Sequence, residues 1–300
     1  MLTGVHFLLT YSCNFECDHC FLHCGPHAQG TFTLDQMRQV FDEIGKIDTV
    51  NEVYFEGGES FQYYPLLVEG VRIARSQNLR IGIVTNAYWA TAEPDAELWL
   101  RPLVDLGIDD LSLSDDAFHQ SEDVVNTAQV ARRVAERMGF PTGTICITEP
   151  AVSRSPSGGS GKGKSVVGGD VVFRGRAVDK LVEGLPRRPW REFDECPHED
   201  LQHLSRVHVD SYGHVHLCQG LSLGNMWQRP LSMLVKDYSH ESHPVCAPLI
   251  RGGPAQLAQA YDFAVDAGYV DACHLCYEVR KSLVDQFPDH LCPRQVYGLE

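Results

Sequence analysis

Two hydrophobic periods alternate along the first half of the chain. Residues 5–10 form an apolar run that reads as a strand. Thr33 and Gln36 then stand in capping-box relation, and Met37, Val40, Phe41, Ile44 and Ile47 recur at helical spacing, which predicts a helix with one buried face. The same rhythm continues with strands over 52–55, 80–85, 110–114 and 143–148, and helices over 66–74, 95–106 and 122–138. Strands and helices alternating at this pitch predict parallel βαβ units, with functional residues at the carboxyl ends of the strands. Residues 153–170, rich in serine, glycine and lysine, break the rhythm and read as a flexible loop. Residues 158–165 satisfy the phosphate-loop pattern G-x4-G-K-S, but no strand precedes them and nothing after them would open a helix. A sixth strand is expected over 171–173, leading into Gly175-Arg176-Ala177 and a short helix. From about Pro189 turns, histidines and aromatics replace the alternation, so a domain boundary is expected there, dividing residues 1–189 from 190–300.

Composition narrows the function. At 300 residues the chain has room for one α/β domain and a smaller one. A formal charge of −15 argues against a nucleic-acid partner, which asks for a basic surface, and leaves small molecules and peptides open. No secretory signal is visible at the amino terminus, and no apolar run approaches the roughly 20 residues that cross a bilayer. The expected location is the cytoplasm, with no membrane partner. Eleven cysteines without export then point to metal ligation rather than disulfides.

The candidate chemistry starts at Cys13, Cys17 and Cys20, a C-x3-C-x2-C loop directly after the first strand. Three thiolates can hold three corners of a [4Fe–4S] cluster and leave one iron open for a ligand. Half of a zinc knuckle is the competing reading. The spacing resembles the cluster loop of the radical S-adenosylmethionine (SAM) superfamily, with His19 just before the third cysteine. Gly57-Gly58-Glu59, after the second strand, looks like that family's motif for the methionyl amine of SAM. Thr85-Asn86 and Ser114-x-Asp116 end strands three and four where the family contacts the SAM carboxylate and ribose, and equally suit helix caps. Gly143-Thr144-Ile145 matches the start of its adenine-binding pattern, although Ile147 and Pro150 replace the later glycine and glutamate. The resemblance spans about 5–180 and implies a partial (β/α)6 barrel that binds a [4Fe–4S] cluster and SAM. It also implies formation of a 5′-deoxyadenosyl radical, which removes hydrogen from a substrate carbon.

Cys196, Cys218, Cys273 and Cys276 form a second set, with Gly213 five residues ahead of Cys218. Their order resembles the twitch (SPASM-like) extension of the same superfamily and implies one auxiliary [4Fe–4S] cluster; a structural zinc site accepts the same ligands. Together the resemblances imply an oxidoreductase acting on a small metabolite or peptide, the second cluster taking the substrate's electron and a flavodoxin or ferredoxin supplying reductant. No leader-binding segment is legible before the first strand, which favours the small molecule. One rival is a redox-neutral epimerase with Cys246 or Cys292 as thiol donor. Another is a non-enzymatic iron–sulfur or zinc protein. His119, after strand four, is a further candidate for a substrate contact, and Cys24 reads as a spare thiol.

Overall fold

The computed structural model describes residues 1–119, 125–154 and 165–299. Its first half runs β1 (Gly4–Thr10), α1 (Leu34–Ile44), β2 (Glu52–Gly57), α2 (Tyr64–Ser76), β3 (Arg80–Thr85), α3 (Glu93–Leu106), β4 (Asp110–Ser114), α4 (Thr127–Arg137) and β5 (Thr142–Ile145). A hairpin follows, β6 (Ala151–Arg154) with β7 (Ser165–Gly168), and then α5 (Arg176–Lys180). The remainder comprises β8 (Arg206–Asp210), β9 (His214–Cys218), β10 (Leu221–Asn225), α6 (Leu231–Lys236), α7 (Cys246–Ala260) and α8 (Ala272–Ser282). Eight strands form one sheet in the order β10-β9-β8-β1-β2-β3-β4-β5. The six from β8 to β5 are parallel, and β9 and β10 are antiparallel additions. This is the expected α/β class, a mostly parallel partial barrel. No helix among the described residues is long and apolar enough to cross a membrane.

Side-chain alternation explains why the sheet has two unlike faces. Val5, Phe7 and Leu9 of β1, Val53 and Phe55 of β2, and Val207 and Val209 of β8 belong to the main apolar core. Helix α1, capped by the Thr33–Gln36 box, brings Phe41 to 5.0 Å from the Phe7 ring, which lies 5.1 Å from Phe55. Burying each such ring contributes about 1.5–3 kcal/mol. The intervening positions, among them His6, Leu8, Tyr54, Glu56, Val84, Ser112, Ser114 and His208, lie on the other face of the sheet, where polar and apolar side chains mix.

Two expectations change. Residues 171–173 make no strand; the sixth parallel strand is β8, hydrogen-bonded to β1 at the other side of the barrel. The 171–173 segment is instead held by Val171 and Phe173 in a small apolar cluster with Ala177 and Val270. The ends of the segment expected as a loop over 153–170 pair as the β6–β7 hairpin. Residues 158–164 of the phosphate-loop pattern lie outside the described residues, as do the first residues expected for the fourth helix, which begins at Thr127 behind its Asn126 cap.

Candidate active site

The carboxyl ends of β1 to β5 open on a cavity of about 270 Å³. Cys13, Cys17 and Cys20 stand on its wall. The loop that carries them folds back on itself: Cys13 N–H donates to Gly25 (3.1 Å) and Tyr11 N–H to Gly30 (2.9 Å). Backbone N–H groups also point at sulfur, Phe15 at Cys13 Sγ (3.4 Å) and Cys24 at Cys20 Sγ (3.4 Å). Burial pushes the Cys13 and Cys17 thiols up to about 11 and 12. The Cys24 thiol, hydrogen-bonded to Cys20, brings Cys20 down to about 6. Three cysteines on one cavity wall fit a metal centre, whose charge deprotonates its thiol ligands despite their burial.

Beside this loop the β2 turn is pressed against backbone. Gly57 has φ +132, and a Cβ there would lie 2.4 Å from the Thr10 carbonyl oxygen; at Gly58 it would lie 2.1 Å from that of Ser12. Only glycines let Gly58 and Glu59 donate their N–H groups to Thr10 (2.7 Å) and Ser12 (2.9 Å). Gly57 and Gly58 therefore line the cavity, and the Glu59 carboxylate sits behind its wall, fully buried. Glu59 accepts from Thr85 Oγ1 (2.7 Å) and Phe61 N–H (3.0 Å) at Oε1 and from Asn86 N–H (2.7 Å) at Oε2. Burial still prevails and raises its carboxyl to about 7. Thr85 and Asn86 reach the cavity, and Asn86 Nδ2 lies 3.0 Å from Asn14 and 3.7 Å from Cys13 Sγ.

Ser114, Asp116 and Ile145 close the opposite wall. Asp116 accepts from His119 Nδ1 (2.8 Å) and Phe118 N–H (3.0 Å) at one oxygen and from Ile147 N–H (3.2 Å) at the other. Burial opposes its charge, but these donors hold the carboxyl below its usual range. His119 also lines the cavity, stacked edge-on to His19, which burial pushes down to about 4. Cys246 and Cys292 do not line the cavity, whereas Cys24 does.

Sequence reasoning missed the residues that grip the cysteines. Arg176 donates from Nη1 to the Cys17 carbonyl and from Nη2 to the Cys24 carbonyl, both at 2.7 Å, and its own N–H donates to Cys20 (2.9 Å). Gly175, at φ +62, lies so close that a Cβ would be 2.5 Å from Phe21 Cα. The Gly-Arg-Ala run was the available signal. Arg174, on the cavity wall, donates to Cys218 Sγ at 2.9 Å. A second guanidinium, Arg280, lies near Cys218, Cys273 and Cys276, is 2% exposed and donates to the Gln219 carbonyl at 3.1 Å. Cys196 lies near Cys276. Neither Arg174 nor Arg280 has a carboxylate partner among the described residues, and the Nε of each is buried without a hydrogen bond. Two such cations fit a second set of thiolates around a metal centre, which bears net negative charge.

The parallel sheet thus gathers a three-cysteine loop and hydrogen-bonding side chains around one cavity at its strand ends. Residues 7–148, just under half of the chain, match the family model of the Radical SAM superfamily. YydG of Bacillus subtilis (strain 168), provisionally named for peptide biosynthesis, is 25% identical over 125 residues, 40% of this chain and 39% of that protein. An S-adenosylmethionine-dependent nucleotide dehydratase of Selenomonas ruminantium is 29% identical over 86 residues, 29% of this chain and 30% of the dehydratase. The chain thus matches well under half the length of either relative. The crystal structure of BtrN in complex with AdoMet and 2-DOIA superposes with TM-score 0.52 at 14% identity, over 78% of this chain and 82% of BtrN, and shares the fold. The family implies a [4Fe–4S] cluster and SAM as cofactors.

Proposed function

We propose that the protein is a radical SAM oxidoreductase that modifies a small metabolite or peptide, with Cys13, Cys17 and Cys20 holding the SAM-binding cluster and Cys196, Cys218, Cys273 and Cys276 an auxiliary one. When bound, the first cluster and SAM supply a 5′-deoxyadenosyl radical that removes hydrogen from substrate, and the second offers an electron acceptor. The chain's own groups orient and enclose. Gly57 and Gly58 let a ligand approach backbone. Glu59, behind the cavity wall, holds Thr85 and Asn86 toward the cavity through its hydrogen bonds and sets its carboxyl beside the place of the methionyl amine. Thr85, Asn86, Ser114 and Asp116 offer hydrogen bonds to the carboxylate and ribose, and Ile145 an apolar surface to the adenine.

The oxidative reading rests on one observation: Arg174 lines the cavity and touches Cys218, so the second cysteine set adjoins the substrate space. The barrel alone would support a redox-neutral reaction equally well. An external one-electron donor of the flavodoxin or ferredoxin type completes the proposal. The test is iron and sulfide content after anaerobic reconstitution of wild type and of Cys273→Ala/Cys276→Ala. About eight irons falling to about four supports two cubane clusters. About four in both, with zinc lost from the variant, would sink the oxidative reading.

A further inference from the structure

The barrel interior holds a group of side chains that the radical chemistry does not use. His6 of β1, Glu56 of β2 and His208 of β8 come from three adjacent strands; His6 and His208 are register partners, and Glu56 lies two positions further along its strand than the partner of His6. Glu56 Oε1 lies 3.2 Å from His6 Nδ1 and 3.0 Å from His208 Nε2, and all three ligand atoms fall within 4.8 Å of one another. The Tyr54 ring stacks on His6 at 4.8 Å and fixes its plane. His208 is buried.

The two other histidine–carboxylate groups provide a contrast. Asp210 accepts at Oδ2 from Tyr11, His214 and His216 and at Oδ1 from the N–H groups of Tyr212 and His214. It is fully buried, and its lone pairs are taken, so it is a knot that ties the β8–β9 turn to β1. Asp116 likewise has both oxygens engaged. Glu56 differs: among the described residues its Oε2 accepts no hydrogen bond, and the residue lines the 270 Å³ cavity. A carboxylate flanked by two imidazoles, with one oxygen free on the cavity side, offers a cation both donors and open positions.

We propose that His6, Glu56 and His208 form a site for one divalent transition-metal ion, Zn²⁺ or Fe²⁺, open toward the cavity on the Glu56 side. Two imidazoles and one carboxylate are the donor set that such ions favour when they keep free positions for other ligands. Donors about 2.1 Å from one ion, at angles between octahedral and tetrahedral, stand roughly 3.0–3.4 Å apart. The Oε1–nitrogen separations fall in that range. The same separations suit N–H···O hydrogen bonds, so entry of the ion would displace one proton from each ring contact. A bound ion would present its free positions to an oxygen or nitrogen donor of the substrate, a hydroxyl, carboxylate or phosphate, and so would fix the substrate against the floor of the barrel. This site is independent of the cluster assignment.

The test is a Co²⁺ titration of anaerobically reconstituted protein, in which iron–sulfur centres occupy the cysteines. Bound cobalt is counted by metal analysis, and its high-spin EPR signal is read against the diamagnetic oxidised clusters. One additional Co²⁺ per chain is expected for wild type, with binding weakened at least tenfold in both Glu56→Gln and His208→Gln. Iron content, measured in the same samples, should match wild type in both variants; this shows that the fold and the cysteine loop persist. Absence of cobalt binding by wild type, or equal binding by the variants, would overturn the site. Loss of iron from wild type itself would count against the cluster assignment alone, because the difference between wild type and variants still reports on the triad.

Discussion

Arg176→Ala tests the link between the fold and the metal chemistry most directly. The guanidinium spans the cysteine loop, donating to carbonyls on both sides of Cys20 at 2.7 Å. Hydrogen bonds from a charged donor contribute about 1.5–3 kcal/mol each, so losing two removes about 3–6 kcal/mol before water enters. The Glu16 carboxylate, 4.0 Å away and mostly exposed, adds little. Taking the lower bound, the balance between the closed loop and an opened one shifts by about 3 kcal/mol, roughly 100-fold. The backbone contact from Arg176 N–H to Cys20 survives the substitution, so the chain should still fold. The assay is iron and sulfide content after anaerobic reconstitution, carried out in the Cys273→Ala/Cys276→Ala background so that only the first cysteine set reports. Arg176→Ala should lose most of the remaining iron, with Arg176→Lys intermediate because one ammonium can reach only part of the span. Full iron loading and an unchanged EPR signal on reduction in Arg176→Ala would refute the clamp.

Two further outcomes follow from the β2 turn. Gly58→Ala would place a Cβ 2.1 Å from the Ser12 carbonyl oxygen, which is backbone and cannot swing aside; a loss of about 2 kcal/mol or more is expected, read as a lowered thermal midpoint together with poor iron loading. Glu59 has a folded-state carboxyl raised to about 7 from 4.5. Its stabilising contribution is therefore complete below about pH 4.5 and is lost as pH rises through 7, by roughly 3 kcal/mol. Thermal midpoints of cofactor-free wild type should fall relative to Glu59→Gln across that window, and a difference that stays flat with pH would contradict the buried-carboxyl account.

The parallel units were legible because each strand carries its own signal. Val5, Phe7 and Leu9 alternate with His6 and Leu8, and the capping pair at Thr33 and Gln36 forms as its spacing suggests. The cysteine loop and the Gly57-Gly58 turn were visible for a related reason: short-range spacing is enough to place them. Two things were not visible. The pairing of β8 with β1 joins residues about 200 positions apart, and nothing local in Val207 or Val209 says which strand they will meet. The histidine–glutamate group depends on that pairing, since His208 reaches Glu56 only once β8 lies beside β1. The hairpin of β6 and β7 was hidden by composition, because the glycines and serines that read as a loop occupy its connection while Val152 and Val167 pair in its strands.

Residues 174–176 join the two cysteine sets in a way that bears on the electron-acceptor reading. Arg174 reaches Cys218 and Arg176 reaches the carbonyls of Cys17 and Cys24, so two side chains on either side of Gly175 serve the two cysteine sets. Two residues of chain keep their Cα atoms within about 7 Å of each other. Gly175 between them lies against Cys20 and Phe21, where a side chain would force the two apart. A zinc clip that only stabilised the C-terminal part would need no residue shared with the cavity wall, and no cation buried beside its thiols. An electron acceptor benefits from both. The short path from the cavity favours transfer, and the uncompensated guanidiniums of Arg174 and Arg280 favour a centre that gains negative charge. The same two cations that would be a liability beside neutral thiols become intelligible beside the electron-accepting cluster proposed above.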